Sequence, residues 1–105
     1  MTGACFYCGH PFDTVGKFPT RDHVFPRRMI RPFGRFLSTD WYQLNIVPGC
    51  PVCNTAKGGS SPYHWVHQLD ARAADALQHR LEMLGDPSAG MIALAEEARR
   101  VFSPV

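Results

Sequence analysis

The sequence predicts a small α+β domain held together by a bound metal ion. Three observations lead to this fold class: a length of 105 residues, four cysteines in two closely spaced pairs, and short strand-like stretches followed by two helical ones. A chain of this length normally forms one domain with a modest core, and such domains often need a metal or disulfides. We expect one compact domain, with a core in residues 1–60 and a helical extension in residues 61–105 packed on it.

The four cysteines form two Cys-x-x-Cys pairs, Cys5 with Cys8 and Cys50 with Cys53. Two residues between thiolates let both sulfurs reach one ion, and two such pairs complete the tetrahedral shell of a structural zinc site. Two disulfides are the alternative, which an oxidising compartment would favour. The sequence has no apolar run long enough to span a membrane and no leader-like start. We therefore expect an intracellular, cytoplasmic protein with a structural Zn²⁺ and no membrane contact.

The insert between the cysteine pairs contains 41 residues, whereas simple zinc ribbons have ~15 to 20. Its stretch "DHVF" at residues 22–25 predicts one short strand, and Leu44, Ile46 and Val47 predict another. Residues 26–41 hold two prolines, a glycine and four arginines, which predicts an irregular loop between the strands. The metal would then close a strand, a long loop and a second strand into one unit.

The stretch "CPVCNTAKGG" predicts a helix of about two turns, because Pro51 suits a first turn and Gly58 and Gly59 suit an end. Asn54 and Lys57 are three residues apart and therefore share a helical face. They lie close to the amino end, where the helix dipole and free N–H groups favour an anion.

The segment after Gly59 predicts a long amphipathic helix that starts with a capping serine and Pro62. Apolar residues recur at helical spacing from Val66 to Leu84, and Gly85 ends the pattern.

A second helix is predicted next, with Asp86 as its cap and Pro87 at its first position. We expect both helices to cover the core, and a dimer seam is the alternative. The apolar stripe of the second helix consists of Met91, Leu94, Ala95, Ala98 and either Val101 or Phe102.

The charge of the chain is unevenly distributed. Residues 1–60 carry seven Lys and Arg against three Asp and Glu, whereas residues 61–105 carry four against six. This asymmetry indicates an anionic partner for the first segment, nucleic acid being the commonest. A solvated basic face is the alternative, but we interpret five arginines as contacts to backbone phosphates that do not read bases. These are Arg21, Arg27, Arg28, Arg31 and Arg35.

The motifs occur in an order that resembles a known family. Cys-x-x-Cys, Asp-His-Val-x-Pro, Asn-Ile-Val and Cys-x-x-Cys-Asn-x-x-Lys, over residues 5 to about 60, resemble the HNH endonucleases, which are zinc-clamped ββα-metal or His-Me finger nucleases. The chain is also similar to phage recombination endonuclease VII, in which an asparagine likewise follows the last zinc cysteine. Asn54 stands where many members have histidine, which makes this an H-N-N variant. The resemblance implies a metal-dependent DNA endonuclease that leaves 5′-phosphate and 3′-hydroxyl ends.

The chemistry of phosphodiester hydrolysis can be assigned to particular residues. His23, whose pKa starts near neutrality, is the candidate general base. Asp22 and the amide oxygen of Asn54 form a hard-oxygen ligand set that suits Mg²⁺ or Mn²⁺. By resemblance, Asn45 on the second strand orients the base and braces the long loop, and Lys57 contacts phosphate. Singly, these residues would fit ordinary turns or caps, so only the combination is specific.

Asp22 and His23 are neighbours, and neighbours in a regular strand point to opposite faces. They can share one site only if they lie at the end of a strand or at a bulge. Two alternative functions do not need the pair: a zinc-knuckle protein that binds DNA without cutting it, and a docking subunit of a larger phage or recombination machine. A homodimer is also left open by the sequence.

Overall fold

The structure, a computed structural model, describes residues 3–13 and 16–102, without the side chain of Phe102. The predicted outer boundaries at residues 1 and 105 and the alternative stripe side chain Phe102 lie outside this part. The described chain is a mixed α+β fold with a two-stranded sheet and a four-cysteine cluster. The coarse fold class predicted from the sequence is therefore confirmed.

The sheet consists of β1 (Thr20–His23) and β2 (Ile46–Gly49), which pair antiparallel. His23, the last residue of β1, pairs with Ile46, the first residue of β2. The first strand thus lies two residues earlier than the "DHVF" stretch predicted. Val24 and Phe25 follow β1 and are fully buried, because they leave the strand to enter the core.

The loop predicted for residues 26–41 is wrong, because this segment is mostly helical. It contains α1 (Arg27–Ile30), a 3₁₀ turn (Arg31–Phe36) and the start of α2 (Thr39–Leu44). Prolines lie at positions that tolerate them, Pro26 just before α1 and Pro32 in the first turn of the 3₁₀ segment. Ser38 caps α2, and its hydroxyl accepts a hydrogen bond of 3.1 Å from the N–H of Trp41.

Helix α3 (Pro51–Lys57) has the bounds that its sequence predicts. Pro51 occupies the first turn, and Gly58, with φ of +53°, ends the helix in a conformation that side chains rarely adopt. The helix packs against β1, and Cys50 precedes it as the capping residue. The second cysteine pair and the two candidate residues Asn54 and Lys57 therefore belong to one rigid element.

The single long helix predicted after Gly59 is wrong. The segment forms α4 (Pro62–Trp65), a 3₁₀ turn (Val66–Gln68) and α5 (Ala71–Leu84). The break falls at Asp70, whose carboxylate accepts a hydrogen bond of 2.8 Å from the N–H of Ala73 and so starts a new helix.

Helix α5 completes the core. Its Ala73, Leu77 and Leu84 are buried, and three hydrogen bonds join it to the segment before residue 60. In these bonds Arg72 donates to the carbonyl of Tyr7 (2.9 Å), Arg80 donates to that of Leu44 (2.9 Å), and Trp41 donates to that of Leu84 (2.8 Å). The other large buried apolar side chains are Tyr7, Phe12, Val24, Phe25, Ile30, Val47 and Trp65.

Helix α6 (Ala89–Phe102) differs from α5, because it projects from the body. From residue 89 to 101 all of its residues are exposed except the half-buried Ala98. Near its start, α6 contacts the 3₁₀ turn Arg31–Phe36, where Gly90 lies against Phe36. The expected packing of both helices on the core is thus seen for α5 but not for α6, and the molecule extends over 65 × 25 × 20 Å. In the described part of the chain, no helix has the length and apolar character needed to cross a membrane.

Candidate functional site

The four cysteines converge on one point. Their sulfur atoms all lie within 4.8 Å of one another, and the Sγ atoms of Cys8 and Cys50 are 3.9 Å apart. All four are free thiols, and Cys5 and Cys50 are buried. Four sulfurs at this spacing are positioned to bind a metal ion, and the set is consistent with a structural zinc.

Backbone and side-chain donors surround the cluster. The N–H of Cys50 donates to Cys5 Sγ (3.3 Å), and the N–H of Cys53 donates to Cys50 Sγ (3.4 Å). Burial raises the pKa of Cys50, but the hydrogen bonds from Cys53 and the neighbouring thiols outweigh it and lower that pKa to about 6. Lys17, which sequence reasoning missed, places its Nζ 3.7 Å from Cys50 Sγ. Burial raises the pKa of Cys8 and of Cys53, so the surroundings favour the thiolate form at Cys50 and a bound metal would have to displace the protons of the other two.

A cavity of about 430 Å³ lies at the end of β1, between that strand and α3. It brings together the acid, the histidine and the asparagine that the sequence singled out, Asp22, His23 and Asn54. Arg35 is exposed on the 3₁₀ turn and does not line it. The remaining lining residues are Arg21, Pro26, Arg27, Arg28, Arg31, Lys57, Gly58 and Gly59.

Asp22 is the buried acid of this cavity, with 4% of its surface exposed. Its Oδ2 atom has no hydrogen-bond partner in the described structure. Gly49 lies beside it on β2, and a Cβ atom added to Gly49 would be 3.5 Å from Asp22 Cβ. The hydroxyl of Tyr7 makes no hydrogen bond either, although burial and the nearby Asp22 carboxylate both raise the Tyr7 pKa. Tyr7, whose hydroxyl keeps its proton beside Asp22, and the ammonium of Lys57 offset the cost of burying this carboxylate.

His23 occupies the last position of β1 and is half-buried. Neighbours in a strand alternate between its two faces, so the pair was expected at the end of a strand. His23 ends β1, and both Asp22 and His23 line one cavity. Burial and then the charge of Arg27 lower the pKa of His23, whereas Asp22 opposes them. The imidazole is therefore mostly neutral at pH 7 and able to accept a proton.

Asn45 lies outside the cavity lining, one residue before β2 rather than on it. It is 1% exposed, and both ends of its amide bond the backbone of Phe25: Oδ1 accepts from the N–H (2.8 Å) and Nδ2 donates to the carbonyl (3.1 Å). Its own carbonyl accepts from the N–H of Val24 (2.8 Å). Asn45 thus fixes the chain directly after His23, which is a supporting position and not a contact with the cavity.

Two of the predicted phosphate contacts are engaged elsewhere. Lys57 is 1% exposed, and its Nζ donates a hydrogen bond of 2.8 Å to the backbone carbonyl of His23. Arg28 donates to the carbonyl of Gly59, a bond of 2.5 Å that ties α1 to the end of α3. Arg21, Arg27 and Arg31 are exposed at the rim of the cavity.

Comparison of the chain with protein-family models, curated proteins and solved structures found no match.

Proposed function

We propose that this chain is a metal-dependent DNA endonuclease of the HNH type. One observation carries the proposal: Asp22, His23 and Asn54 converge on a single cavity with arginines at its rim. A protein that only binds nucleic acid has no need for a buried carboxylate beside a neutral histidine. Perturbed ionisable groups in a cleft are typical of catalytic sites.

The cavity fits a divalent cation. Asp22 and the amide oxygen of Asn54 are hard oxygen ligands, the type that Mg²⁺ and Mn²⁺ prefer. Both residues line the cavity, and the Asp22 carboxylate supplies the negative charge that such an ion requires. When bound, the ion would offset the charge that builds up on the phosphate during hydrolysis.

His23 would act as the general base. Its neutral imidazole accepts a proton from the attacking water, whose oxygen bonds to phosphorus on the side opposite to the leaving 3′-oxygen. The bond from phosphorus to that oxygen breaks, and the 3′-oxygen takes a proton from solvent, which gives 5′-phosphate and 3′-hydroxyl ends. Asn45 contributes by holding the segment after His23 through its two bonds to Phe25.

The exposed arginines at the rim would bring DNA to this pair through its backbone phosphates. Arg21, Arg27 and Arg31 come from three elements that line the cavity, β1, α1 and the 3₁₀ turn Arg31–Phe36, so a DNA strand passing over it would meet positive charge. Contacts of this type attract any sequence, so we propose no base preference.

The ion in the cysteine cluster is proposed to be zinc with a structural role. Four sulfur ligands close the coordination shell and leave no position for water or substrate. The cluster joins residues near the start of the chain to the beginning of α3, and so it fixes the helix that carries Asn54.

The test is nicking of supercoiled plasmid by the purified protein. We expect nicked product with Mg²⁺ or Mn²⁺ and none after EDTA treatment. Asp22→Asn, which keeps the side-chain shape, should need more metal for half-maximal activity, and so should Asn54→Ala. DNA binding without nicking at any metal concentration would reject the nuclease proposal in favour of a DNA-binding knuckle.

A further inference from the structure

Lys57 is the most deeply buried cationic side chain in the described structure, at 1% exposure. It is the last residue of α3, and its Nζ lies 2.8 Å from the carbonyl oxygen of His23, the last residue of β1. One ammonium therefore joins the helix that carries Asn54 to the strand that carries the proposed base.

We propose that Lys57 is a positioning residue that fixes the His23 backbone and balances the charge of Asp22, and that it does not bind substrate phosphate. This inference rests on the proposed nuclease function. The positioning role replaces the contact with phosphate that the resemblance implies for Lys57.

Burial gives the first argument. Taking an ammonium out of water costs several kcal/mol unless polar groups replace its hydration. Burial lowers the pKa of Lys57, and the charge of Asp22 opposes that change, so the carboxylate is the counter-charge that the ammonium has nearby. The His23 carbonyl supplies a direct hydrogen bond. To reach a phosphate, Lys57 would have to give up this bond, whereas Arg27 and Arg31 are already exposed.

The position of the bond gives the second argument. The carbonyl of His23 belongs to the peptide unit directly after the proposed base, and Asn45 holds the next residues through Val24 and Phe25. Lys57 and Asn45 thus hold the same His23–Val24 peptide unit from different elements, and Asn45 also holds the two units that follow it. A catalytic group displaced by about 1 Å can lose ~10²-fold in rate, so such supports matter for chemistry without touching the substrate.

A mutational experiment separates positioning from phosphate binding. Lys57→Met keeps a chain of similar length and removes the charge and the donor. We expect kcat for plasmid nicking to fall ~10²-fold, with KM and the dependence of DNA affinity on salt unchanged. Arg27→Ala is the matched control, since loss of an exposed phosphate contact should raise KM and lower the log–log salt slope by ~1. If Lys57→Met instead behaves like Arg27→Ala, the positioning role is refuted.

A measurement on the unchanged protein covers the case in which Lys57→Met does not fold. The Nζ protons of a buried, bonded ammonium exchange slowly with water, so a ¹⁵N signal of Lys57 should be visible by NMR. The protein is then saturated with a short DNA duplex in Ca²⁺, which replaces Mg²⁺ so that DNA binds without being cut. The Lys57 signal should stay in place. A shift comparable to those of the rim arginines would overturn the inference. If the parent protein shows no nicking at all, the nuclease proposal fails separately, and the NMR result still decides whether Lys57 meets phosphate.

Discussion

The segment before residue 60 and the helical segment after it use their polar side chains in different ways. Among the described residues, the buried polar and charged side chains are Asp22, Asn45 and Lys57, and all of them belong to the first segment. In the second segment, Arg72 and Arg80 reach across to carbonyls of the first and tie it down. Burying polar groups costs stability, and Asn45 and Lys57 offset part of that cost through hydrogen bonds to the backbone of Phe25 and His23.

Under the proposed function, the chemistry lies in the first segment and the second segment supports it. This division can be tested by changes that should damage one role and leave the other intact. The expected effects run from loss of the whole fold to a change in one salt slope.

Removal of the cluster metal should have the largest effect. The cysteines join residues 5–8 to residues 50–53 across a long insert, and a domain of this size has only a modest apolar core. We expect about one zinc per chain by elemental analysis, and loss of the folded circular dichroism signal with a strong chelator or with Cys50→Ser. A metal-free protein that keeps its melting transition would contradict the structural role.

His23→Ala should abolish most cleavage and leave the fold intact. Loss of a positioned base typically lowers the rate ~10²- to 10⁴-fold. Nicking should fall by this factor, whereas zinc content, melting temperature and DNA affinity should match those of the parent. Parent-like nicking by the variant would show that His23 is not the base.

The pH dependence of nicking gives a second test of His23. Because burial and Arg27 lower its pKa, the neutral form should persist below the ordinary value of 6.5. Activity should therefore fall as the pH drops, with a midpoint below 6.5, and Arg27→Ala should move that midpoint upward. A midpoint above 6.5 in the parent would disagree with the electrostatics of the cavity.

Leu77→Ala should destabilise the second segment without altering the chemistry. Leu77 is fully buried in α5, and such truncations cost ~2–5 kcal/mol. Leu94→Ala is the matched control on α6, where the same side chain is 56% exposed and the change should stay within about 0.5 kcal/mol. Denaturant unfolding measures both, and kcat of the folded fraction should be unchanged. Equal losses would mean that α6 packs on the core.

Arg27→Ala should have the smallest effect on DNA handling, a change in binding that adds to the shift in pH midpoint given above. It should lower the log–log salt slope of DNA affinity by ~1, because one phosphate contact is lost. Arg35→Ala is the control, since Arg35 is exposed but lies outside the cavity. Equal salt slopes for the two variants would show that Arg27 is an ordinary solvated surface residue and does not contact phosphate.

Local sequence signals predicted the parts of this structure that depend on neighbours in the chain. The Cys-x-x-Cys spacing predicted the cluster, and Pro51 with Gly58 predicted the bounds of α3. The two wrong predictions fall where local capping signals were also present, Ser38 at the start of α2 and Asp70 at the start of α5. Arginines and prolines around Ser38 favoured a loop. The apolar pattern that continues past Asp70 favoured one long helix.

The remaining differences depend on contacts between distant residues. Lys57 bonds a carbonyl 34 residues away, and Lys17 approaches a sulfur 33 residues away, so neither contact leaves a spacing pattern in the sequence. The exposure of α6 is a similar case. Its apolar stripe predicts a helix with a preferred face, but periodicity does not say which surface, if any, covers that face.

The projection of α6 gives this small protein an unusual scattering profile. A compact chain of 105 residues should have a radius of gyration of about 13 Å, whereas this structure has 16.8 Å. Small-angle X-ray scattering should therefore show an elongated particle with a long tail in its pair-distance distribution. Because the cavity lies on the body and not on α6, any rearrangement of that helix would change the curve while cleavage stayed constant. The scattering curve thus reports on the second segment, whereas nicking assays test the chemistry proposed for the first.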